Sequence, residues 1–461
     1  MAEIFTRKFS EVSGGRFDPE FYIGQTIQIA TYPLKNFVKI KSGKRIPKGR
    51  SYANTTTTYK YLRVDDLDSE ILEIDIDKLK SIDKDIFTLL ERYEIHNDEV
   101  ALSIAGTIGK VFIFHNTTSN RVILTENCVK LQAQDNLLPK FLSLILKTDF
   151  LQSQMKRQYI QTTIPKLAIE RIKELQIPSI PPLSTQQHII DLMDKAYKAK
   201  QEKENKAKEL LDSIDSYLLE ELGIILPLRA NNTLNSRIYT QKISALSGSR
   251  FDANYHQPYY KKFEQALESG KYKTLRLVDI CQFRRGSFPQ PYGNQEWYGG
   301  ANAMPFVQVA DIDDNFKLKE KTNQQISQLA QPKSVFVSQN TIILSIQGTI
   351  GRVAITQYDC YVDRTIAIFT ELSNLLNQHF LAYMLSILFK NKADTARGIT
   401  LKTITKEEFR NFKIPLPPLT EQEKIAKEIS QRKAQAKALK QEAKESLESA
   451  KKEVEHIILG G

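Results

Sequence analysis

The sequence predicts an α+β protein in which two similar globular domains are separated by two long antiparallel coiled-coil helices, as a pseudo-two-fold internal repeat. Three observations predict this fold. Blocks of sequence recur in the same order in the two halves of the 461-residue chain. Short β-branched segments bounded by Gly, Asn and Asp accompany apolar helical segments in each half. Each half then reaches a long charged segment without internal Gly or Pro.

Four blocks of sequence occur twice. The matching pairs are 13–18 with 247–252, 61–67 with 306–312, 102–111 with 344–353, and 180–186 with 416–422. Recurrence in a fixed order indicates a repeated structural unit. The residues between the blocks diverge, most clearly 41–58 against 282–304. We therefore predict two copies of one scaffold that carry different inserts.

Four segments within the repeats have the composition of short strands. They are 99–104, 111–114, 341–346 and 352–356. The two members of each pair are joined by Gly-Thr-Ile-Gly, at 106–109 and 348–351. A phosphate-binding P-loop needs Gly-x-x-x-x-Gly-Lys-Ser/Thr, so we interpret the shorter motif as a tight turn between two strands.

Two kinds of helix are predicted after the strands. Apolar segments at 137–154 and 377–392 predict helices that pack on the core. Longer helices are predicted at about 185–222 and 421–458, where apolar residues recur at the three-to-four spacing of a coiled coil. Both follow a Pro-Pro pair and a capping box of the S/T-x-x-E/Q type. The capping residues are Ser184 with Gln187 and Thr420 with Glu423.

The two long helices are expected to pair with each other. At 1.5 Å per residue each is about 55 Å long, and its narrow apolar stripe needs a partner. Because the chain runs domain, helix, domain, helix, antiparallel pairing would set the domains at opposite ends of a rod. The predicted division is 1–180 and 227–416 for the domains, with 181–226 and 417–461 for the linker and helices.

Composition limits the classes of partner. The formal net charge of +11 favours a polyanion, since Lys and Arg gain affinity from phosphates by counterion release. The alternative is a basic surface that is only solvated. The three cysteines and six histidines have no disulfide or metal-ligand spacing. The first residues lack a signal peptide and no apolar segment is long enough for a membrane, so we expect a cytoplasmic protein.

The divergent inserts hold the residues expected to contact double-stranded DNA. Residues 35–50 contain seven basic and no acidic side chains, and basic side chains beside aromatic ones can contact phosphates and base edges. The candidates in the first copy are Lys39, Lys41, Lys44, Arg45, Lys48, Arg50 and Tyr52. Those in the second copy are Arg284, Arg285, Gln290, Tyr292, Asn294 and Trp297. Further candidates for phosphate contact are Arg157 and Arg397. A solvated loop is the alternative for each insert.

The chain resembles the specificity subunits of type I restriction-modification systems. The resemblance rests on Arg-Phe-Asp-Ala-Asn-Tyr at 250–255, the Gly-Thr-Ile-Gly strand pair, and the Pro-Leu-Pro-Pro-Leu-Thr-Glu-Gln segment that leads into the last helix. Each has a counterpart in the other copy, and together they cover essentially the whole chain. The first copy departs slightly, with Asp-Pro-Glu at 18–20 and Ser-Thr-Gln-Gln at 184–187.

The resemblance implies two target recognition domains, each reading half of a bipartite sequence. It also implies that the long helices dock two modification (methyltransferase) subunits, which two restriction (motor nuclease) subunits can join. Candidate partner-binding residues on these helices are Ile189, Met193, Ile425 and Ile429. No cofactor is expected in this chain, because the resemblance places S-adenosylmethionine, ATP and magnesium in the partner subunits.

An enzyme and a coiled-coil scaffold are the two alternative functions. An enzyme is disfavoured, because the sequence has neither the Phe-x-Gly-x-Gly nor the Asn/Asp-Pro-Pro-aromatic motif of nucleotide methylation. A coiled-coil scaffold without a DNA role fits the helices alone, and salt-sensitive DNA binding would discriminate against it. If the inserts are modular, exchange of Lys41–Tyr61 should change only one half of the recognised sequence.

Overall fold

The chain forms two compact units in a computed structural model. The structure describes residues 29–67, 74–158, 166–229, 231, 233–247, 251, 253, 255–396 and 402–460. The first unit comprises Met1–Lys203 with Gln441–Gly461, and the second comprises Glu204–Lys440. Each unit combines strands and helices, which confirms the predicted fold class. The compact units divide each long helix between them, and the boundaries predicted from the sequence stay a prediction.

The first unit contains nine strands among its described residues. They are β1 (Thr31–Pro33), β2 (Val38–Ser42), β3 (Tyr59–Leu62), β4 (Lys80–Ser81), β5 (Val100–Ser103), β6 (Val111–Ile113), β7 (Arg121–Leu124), β8 (Cys128–Ala133) and β9 (Gln176–Pro178). A four-stranded antiparallel sheet has the order β2-β8-β5-β6, and a three-stranded sheet has the order β4-β3-β7. Strands β3 and β7 run parallel, and β1 pairs with β9.

Six α-helices of the described residues lie wholly or partly in the first unit. They are α1 (Lys84–Leu90), α2 (Pro139–Lys147), α3 (Asp149–Gln158), α4 (Ile169–Lys173), the first half of α5 (Leu183–Glu221) and the end of the last helix of the chain, which spans Leu419–Ile458. Helix α2 buries Phe141, Leu142 and Ile145 against Val129 and Leu131 of the four-stranded sheet. Burial of such side chains contributes roughly 1.5–3 kcal/mol each, so this contact holds the sheet in place.

The second unit repeats the order of strands. Its strands are β10 (Thr274–Arg276), β11 (Gln282–Arg285), β12 (Met304–Val307), β13 (Gln324–Ile326), β14 (Val335–Val337), β15 (Ile342–Ser345), β16 (Val353–Ile355), β17 (Cys360–Val362), β18 (Ile366–Thr370) and β19 (Lys413–Pro415). The sheets are β11-β18-β15-β16, β13-β12-β17-β14 and β10-β19. As in the first unit, the central pair, β12 and β17, is parallel. The predicted internal repeat is therefore confirmed.

Helices of the second unit follow the same plan with additions before β10. They are the second half of α5, α6 (Leu234–Arg237), α7 (Ile243–Leu246), α8 (Pro258–Glu268), α9 (Leu277–Ile280), α10 (Gln378–Lys392), α11 (Lys406–Arg410) and part of α12 (Leu419–Ile458). Helix α10 matches α2 and buries Phe380, Leu381 and Met384. This confirms the helix predicted at 377–392.

The Gly-Thr-Ile-Gly segments are tight turns, as predicted. Gly106 and Gly109 have φ of 73° and 89°, a region that glycine enters without strain. Before the turn, the Ser103 hydroxyl donates to the Thr107 carbonyl at 2.6 Å and accepts from the Lys110 amide at 2.8 Å. Ser345 makes the same two hydrogen bonds in the second unit.

The two long helices pack against each other antiparallel within each unit. In the first unit, Met193 of α5 shares a core with Val454 of α12, and Lys203 pairs with Glu442 at 3.2 Å. In the second unit, the end of α5 meets the start of α12, where Glu221 pairs with Lys424 at 3.2 Å. The predicted helices at 185–222 and 421–458 are thus confirmed to within two residues.

The helix predicted over 137–154 is in fact two helices. Thr148 takes an extended backbone conformation between α2 and α3. Its hydroxyl donates to the Ile145 carbonyl at 2.6 Å and receives the Leu151 amide at 3.3 Å. A threonine side chain that satisfies the ends of both helices competes with a continuous helix, which explains the break.

The predicted capping boxes are also corrected. Helices α5 and α12 begin at Leu183 and Leu419, so Ser184 and Thr420 lie inside the first turn. The carbonyls of Pro182 and Pro418 accept the first helical hydrogen bonds instead.

A buried glutamine one turn into each long helix fixes its start. The Gln186 side chain accepts from the Leu138 amide and donates to the carbonyls of Asn136 and Pro181, each at 2.8 Å. Gln422 makes the same three contacts with Asn377, Leu375 and Pro417, also at 2.8 Å. Both side chains are fully buried, so each amide ties a long helix to the loop before α2 or α10.

Candidate nucleic-acid interface

Each unit carries its divergent insert between the same two strands. The insert of the first unit spans 43–58, between β2 and β3, and that of the second spans 286–303, between β11 and β12. Each begins with a glycine. A Cβ atom on Gly43 would lie 2.0 Å from the Thr125 carbonyl oxygen, and one on Gly286 would lie 2.3 Å from the Asp363 carbonyl oxygen. Only glycine allows the insert to leave the sheet at this point.

Four lysines of the first unit present free amines beside the insert. Lys39 and Lys41 are the exposed positions of β2, which is an edge strand. Lys44 and Lys48 are exposed on the insert itself. Across the described ranges of the chain, none of the four amines has a hydrogen-bond or ion-pair partner within reach. Such amines can exchange water for phosphate without breaking an internal contact.

Two arginines of the same insert hold exposed ion pairs. Arg45 donates to the Glu126 carboxylate at 2.6 Å, with 79% of its side chain exposed. Arg50 pairs with Asp85, and both side chains are about half exposed. Ion pairs in water stabilise a fold very little. Either guanidinium can therefore exchange its carboxylate partner for a phosphate or a base edge at little cost in stability.

A groove opens where this insert meets the ends of β3 and β7. Its volume is about 350 Å³, and Arg45, Tyr52, Tyr61 and Asn127 lie among its walls. Tyr52 is 38% exposed and meets Tyr61 edge to face, with 6.1 Å between ring centroids. The Tyr61 hydroxyl donates to the Lys44 carbonyl at 2.9 Å. Burial raises the pKa of Tyr61 to about 12, so the hydroxyl keeps its proton.

The second unit places arginines on the strand before its insert. Arg284 and Arg285 are exposed on β11. Arg284 donates to the Phe336 carbonyl at 3.1 Å, and Arg285 to the Gln347 side chain at 3.3 Å. Both contacts are with neutral acceptors, so each guanidinium keeps its positive charge available to an anion.

The insert of the second unit is aromatic where that of the first is basic. The Tyr292 hydroxyl donates to the Asp363 carboxylate, and the Arg364 guanidinium lies 5.0 Å from the centroid of the tyrosine ring. Burial, with help from Asp363, raises the pKa of Tyr292. Gln290 is exposed, and the Asn294 side chain accepts from the Glu296 amide at 3.3 Å to cap a short turn.

Trp297 is a core residue rather than a surface one, which corrects its assignment to DNA contact. Its side chain is only 8% exposed and packs in a cluster with Phe288, Phe306 and Ile326. The Lys333 ammonium lies 4.8 Å from its ring centroid. Because the indole ring packs in the core of the unit, DNA could reach it only if the insert rearranged.

Two charged residues beside the inserts have no signal in the sequence pattern. Glu126 stands three residues after Ile123, the partner of Tyr61, and Arg364 stands three after Tyr361, the partner of Phe306. They therefore occupy the same scaffold position with opposite charge. The aligned blocks stop before β7 and β17, so no sequence match pointed to them.

The remaining predicted residues lie elsewhere. Arg157 is on α3, where its Nε donates to the Ser153 carbonyl at 3.3 Å. Arg397 lies outside the described residues. The four candidates for partner binding, Ile189, Met193, Ile425 and Ile429, are at most 3% exposed and pack inside the units. Their burial corrects the expectation of direct contact, because a partner would meet the exposed residues beside them.

No helix among the described residues is long and apolar enough to cross a membrane. Within the same described ranges, no group of His, Cys, Asp and Glu side chains is arranged to hold a metal ion. The three cysteines are buried free thiols, and burial raises the pKa of each to about 12.

Comparison with known proteins identifies the family. The family described as "Type I restriction modification DNA specificity domain" matches residues 27–212 and 269–449, one match in each half of the chain. The chain belongs to this family of type I restriction-modification specificity subunits. Members bring DNA sequence recognition to a restriction-modification system and are not catalytic themselves.

Individual relatives of this specificity subunit are distant in sequence. The putative type I restriction enzyme MjaX specificity subunit of Methanocaldococcus jannaschii is 22% identical over 403 residues, covering 84% of each chain. The type I restriction enzyme EcoBI specificity subunit of Escherichia coli is 25% identical over 153 residues, 32% of each chain. A structure described as the basis of "complex assembly" and "conformational transition of the type I R-M system" shares the fold. It matches with a TM-score of 0.55 and 17% identity, covering 93% of this chain and 96% of the other.

Proposed function

We propose that each unit of this specificity subunit reads one half of a bipartite sequence in double-stranded DNA. One observation carries the proposal: a shared scaffold holds two chemically different inserts at the same place. Gly43 and Gly286 occupy the same position of the scaffold. The residues that follow them differ: the first insert has Arg45 and Tyr52, whereas the second has Tyr292, which binds Asp363. Two different reading surfaces on one framework fit two different half-sites.

Phosphates and bases would be contacted by different residues. The free amines of Lys39, Lys41, Lys44 and Lys48 suit phosphates, which fix position but carry no sequence information. Groups that combine donors and acceptors suit base edges in the major groove. In the first unit these are Arg45, Tyr52 and Glu126. In the second unit they are Arg285, Gln290, Tyr292 and Arg364.

The partners in this proposal are two modification subunits, which two restriction subunits can join. S-adenosylmethionine, ATP and magnesium would be bound by those subunits, and the complex would act in the cytoplasm. The antiparallel helices would provide part of the docking surface through exposed residues that flank the buried stripe. Relatives named as subunits of type I restriction enzymes support this assignment.

Methylation of the host genome tests the proposal. Native DNA is sequenced with a method that detects methylated adenine, from cells with and without the gene for this chain. Loss of a split motif on deletion is the expected result. An unchanged set of methylated sites, in cells that express the modification subunit, would contradict the proposal and favour a scaffold without a DNA role.

Salt dependence separates that scaffold role from DNA reading. The assembled complex should lose DNA affinity linearly with the logarithm of salt concentration, with a slope of about −0.9 for each phosphate contacted. A scaffold that joins proteins only would show no such binding.

A further inference from the structure

A cavity of the first unit lies between α2 and the two long helices. Its walls include Leu144 and Lys147 of α2, Met193 of α5, and Lys451 and Val454 of α12. All of these residues belong to the first unit. The cavity has a volume of about 280 Å³, which is close to the lower end of the range for small-molecule sites. It therefore has room for a small ligand, and none of its walls belongs to an insert.

Lys147 brings an amine without a partner into this cavity. It is the last residue of α2, and its side chain is half-buried. Among the described residues, the amine has neither a hydrogen-bond acceptor nor a carboxylate within ion-pair distance. Burial, with a smaller contribution from the charge of Lys451, lowers the pKa of Lys147 to about 8. Lys147 is therefore still mostly a cation at neutral pH, and it faces a second cation.

The carboxylates around the cavity are not used to neutralise Lys147. Glu448 pairs with Lys451 at 2.7 Å, but both side chains are about half exposed, and such a pair is weak in water. Glu455 accepts from a backbone amide at the start of α3 at 2.8 Å. Asp149 is the first residue of α3, where the helix dipole favours a negative charge. An anion from solution can therefore pair with Lys147 without displacing an internal contact of that amine.

The matching cavity of the second unit has acids of its own. It lies between α10 and the long helices and has a volume of about 450 Å³. Ser386 stands there at the position of Lys147, and Asp215 stands at the position of Lys451. The buried amine of this cavity is Lys433, and the charge of Asp215 opposes the fall in its pKa that burial causes. The second cavity thus combines a lysine with acids, whereas in the first cavity two lysines meet.

The surroundings of the two amines favour a carboxylate over a phosphate. Proteins bind phosphate with free backbone N–H groups at a helix N-terminus or with the planar fork of arginine. The amides of Phe150 and Leu151, in the first turn of α3, already donate to side-chain oxygens. No arginine is among the described residues that line the cavity. Two ammonium groups beside apolar walls fit one carboxylate that has an apolar body.

We propose that the first unit binds a small monocarboxylate in this cavity, with the carboxylate between Lys147 and Lys451 and the apolar part against Leu144, Met193 and Val454. The ligand relieves the repulsion between the two amines and connects α2 with α12. A ligand that binds only the folded state stabilises that state. The site therefore links the concentration of a small organic acid to the stability of the first unit.

Fluorine NMR of para-fluorobenzoate titrated with the full-length chain tests the site. The neutral amide, para-fluorobenzamide, has nearly the same shape and is titrated in parallel, and inorganic phosphate is tested as a competitor. The cavity variants are Lys147→Met and Lys451→Met. The control is Lys437→Met, which removes an exposed lysine of α12 in the second unit. Thermal unfolding confirms that each variant is folded.

Wild type and Lys437→Met should bind one para-fluorobenzoate with a Kd on the order of 1 mM, as expected for a ligand of this size. Each cavity variant should raise Kd about tenfold or more, because it removes a charge-assisted hydrogen bond. Equal binding of the acid and the amide would overturn the proposal in favour of a purely apolar cavity. Tighter binding of phosphate would overturn it in favour of a phosphate site. Absence of measurable binding, or an unchanged Kd in either cavity variant, would also overturn it.

Discussion

The two units of this specificity subunit share one scaffold of strands and helices but differ in their inserts and in some core residues. At the centre of the first unit, Lys130 and Glu99 form a buried ion pair at 2.9 Å. Strand pairing places Ile368 of the second unit at the position of Lys130, since Ala101 faces Lys130 as Ile343 faces Ile368. The frame therefore tolerates a change from charged to apolar in its core. It does not vary the glycine before the insert or the glutamine that starts the helix.

The largest loss of stability is expected when the buried ion pair of the first unit is broken. Lys130→Ile should lower the free energy of unfolding of that unit by about 3–5 kcal/mol, because the Glu99 carboxylate and the Glu94 carbonyl lose a buried donor. Urea unfolding measures the loss. The double variant Lys130→Ile/Glu99→Thr, which installs the residues of the second unit, should recover most of it. A single variant that costs under about 1 kcal/mol would show that the pair is solvated.

The next effect should be equal in both units. Gln186→Ala and Gln422→Ala each remove a fully buried amide and the partner of three backbone groups, so each should cost about 2–3 kcal/mol of unfolding free energy. The exposed neighbour, changed in Gln187→Ala, is the control and should cost under about 0.5 kcal/mol. Clearly unequal losses at the two glutamines would mean that the units do not share this anchor.

A pH effect is predicted for the second unit. Lys433 lies against Phe316, with its ammonium 3.4 Å from the ring centroid and without a hydrogen-bond acceptor among the described residues. Burial lowers its pKa to about 8, while Asp313, Asp215 and Asp314 oppose the shift and Lys390 adds to it. The corresponding stretch of α5 has Tyr197 where α12 has Lys433.

The sign of the pH effect follows from the lowered pKa. Between about pH 8 and pH 10.5 the unfolded chain keeps a proton that the folded lysine has released, so stability rises with pH. The difference in unfolding free energy between wild type and Lys433→Met should change by on the order of 1–3 kcal/mol across this window. A difference that stays constant with pH would show that the ammonium remains charged.

The smallest effect per residue concerns DNA. Changing any one of Lys39, Lys41, Lys44 and Lys48 to Gln should weaken binding equally for all sequences and reduce the salt slope by about 0.9. Lys262→Gln, at an exposed position on α8 of the second unit, is the control and should leave the slope unchanged. If a lysine variant instead changes which sequence is bound, that lysine contacts a base and the division between phosphate and base contacts is wrong.

Much of the frame was predictable because it is repeated. The recurrence of Gly-Thr-Ile-Gly and of the Pro-Pro segments located the strand pairs and the long helices. The break at Thr148 was not predictable, because it depends on one hydroxyl competing with helical hydrogen bonds. Nor were the burial of Trp297 and the opposed charges of Glu126 and Arg364, since these depend on which strands become neighbours. The local sequence pattern predicts where the strands and helices lie. Which side chains reach the surface depends on which strands become neighbours in the folded chain.

Exchange of the first insert tests whether each insert reads one half of the DNA sequence. Residues 44–58, which leave Gly43 and β3 in place, are replaced by the matching insert of a specificity subunit with a different target. Methylated adenine is then mapped in cells that carry the variant. We expect one half of the split motif to change while the other half and the methylation level stay the same. Change in both halves, or retention of the original motif, would contradict it.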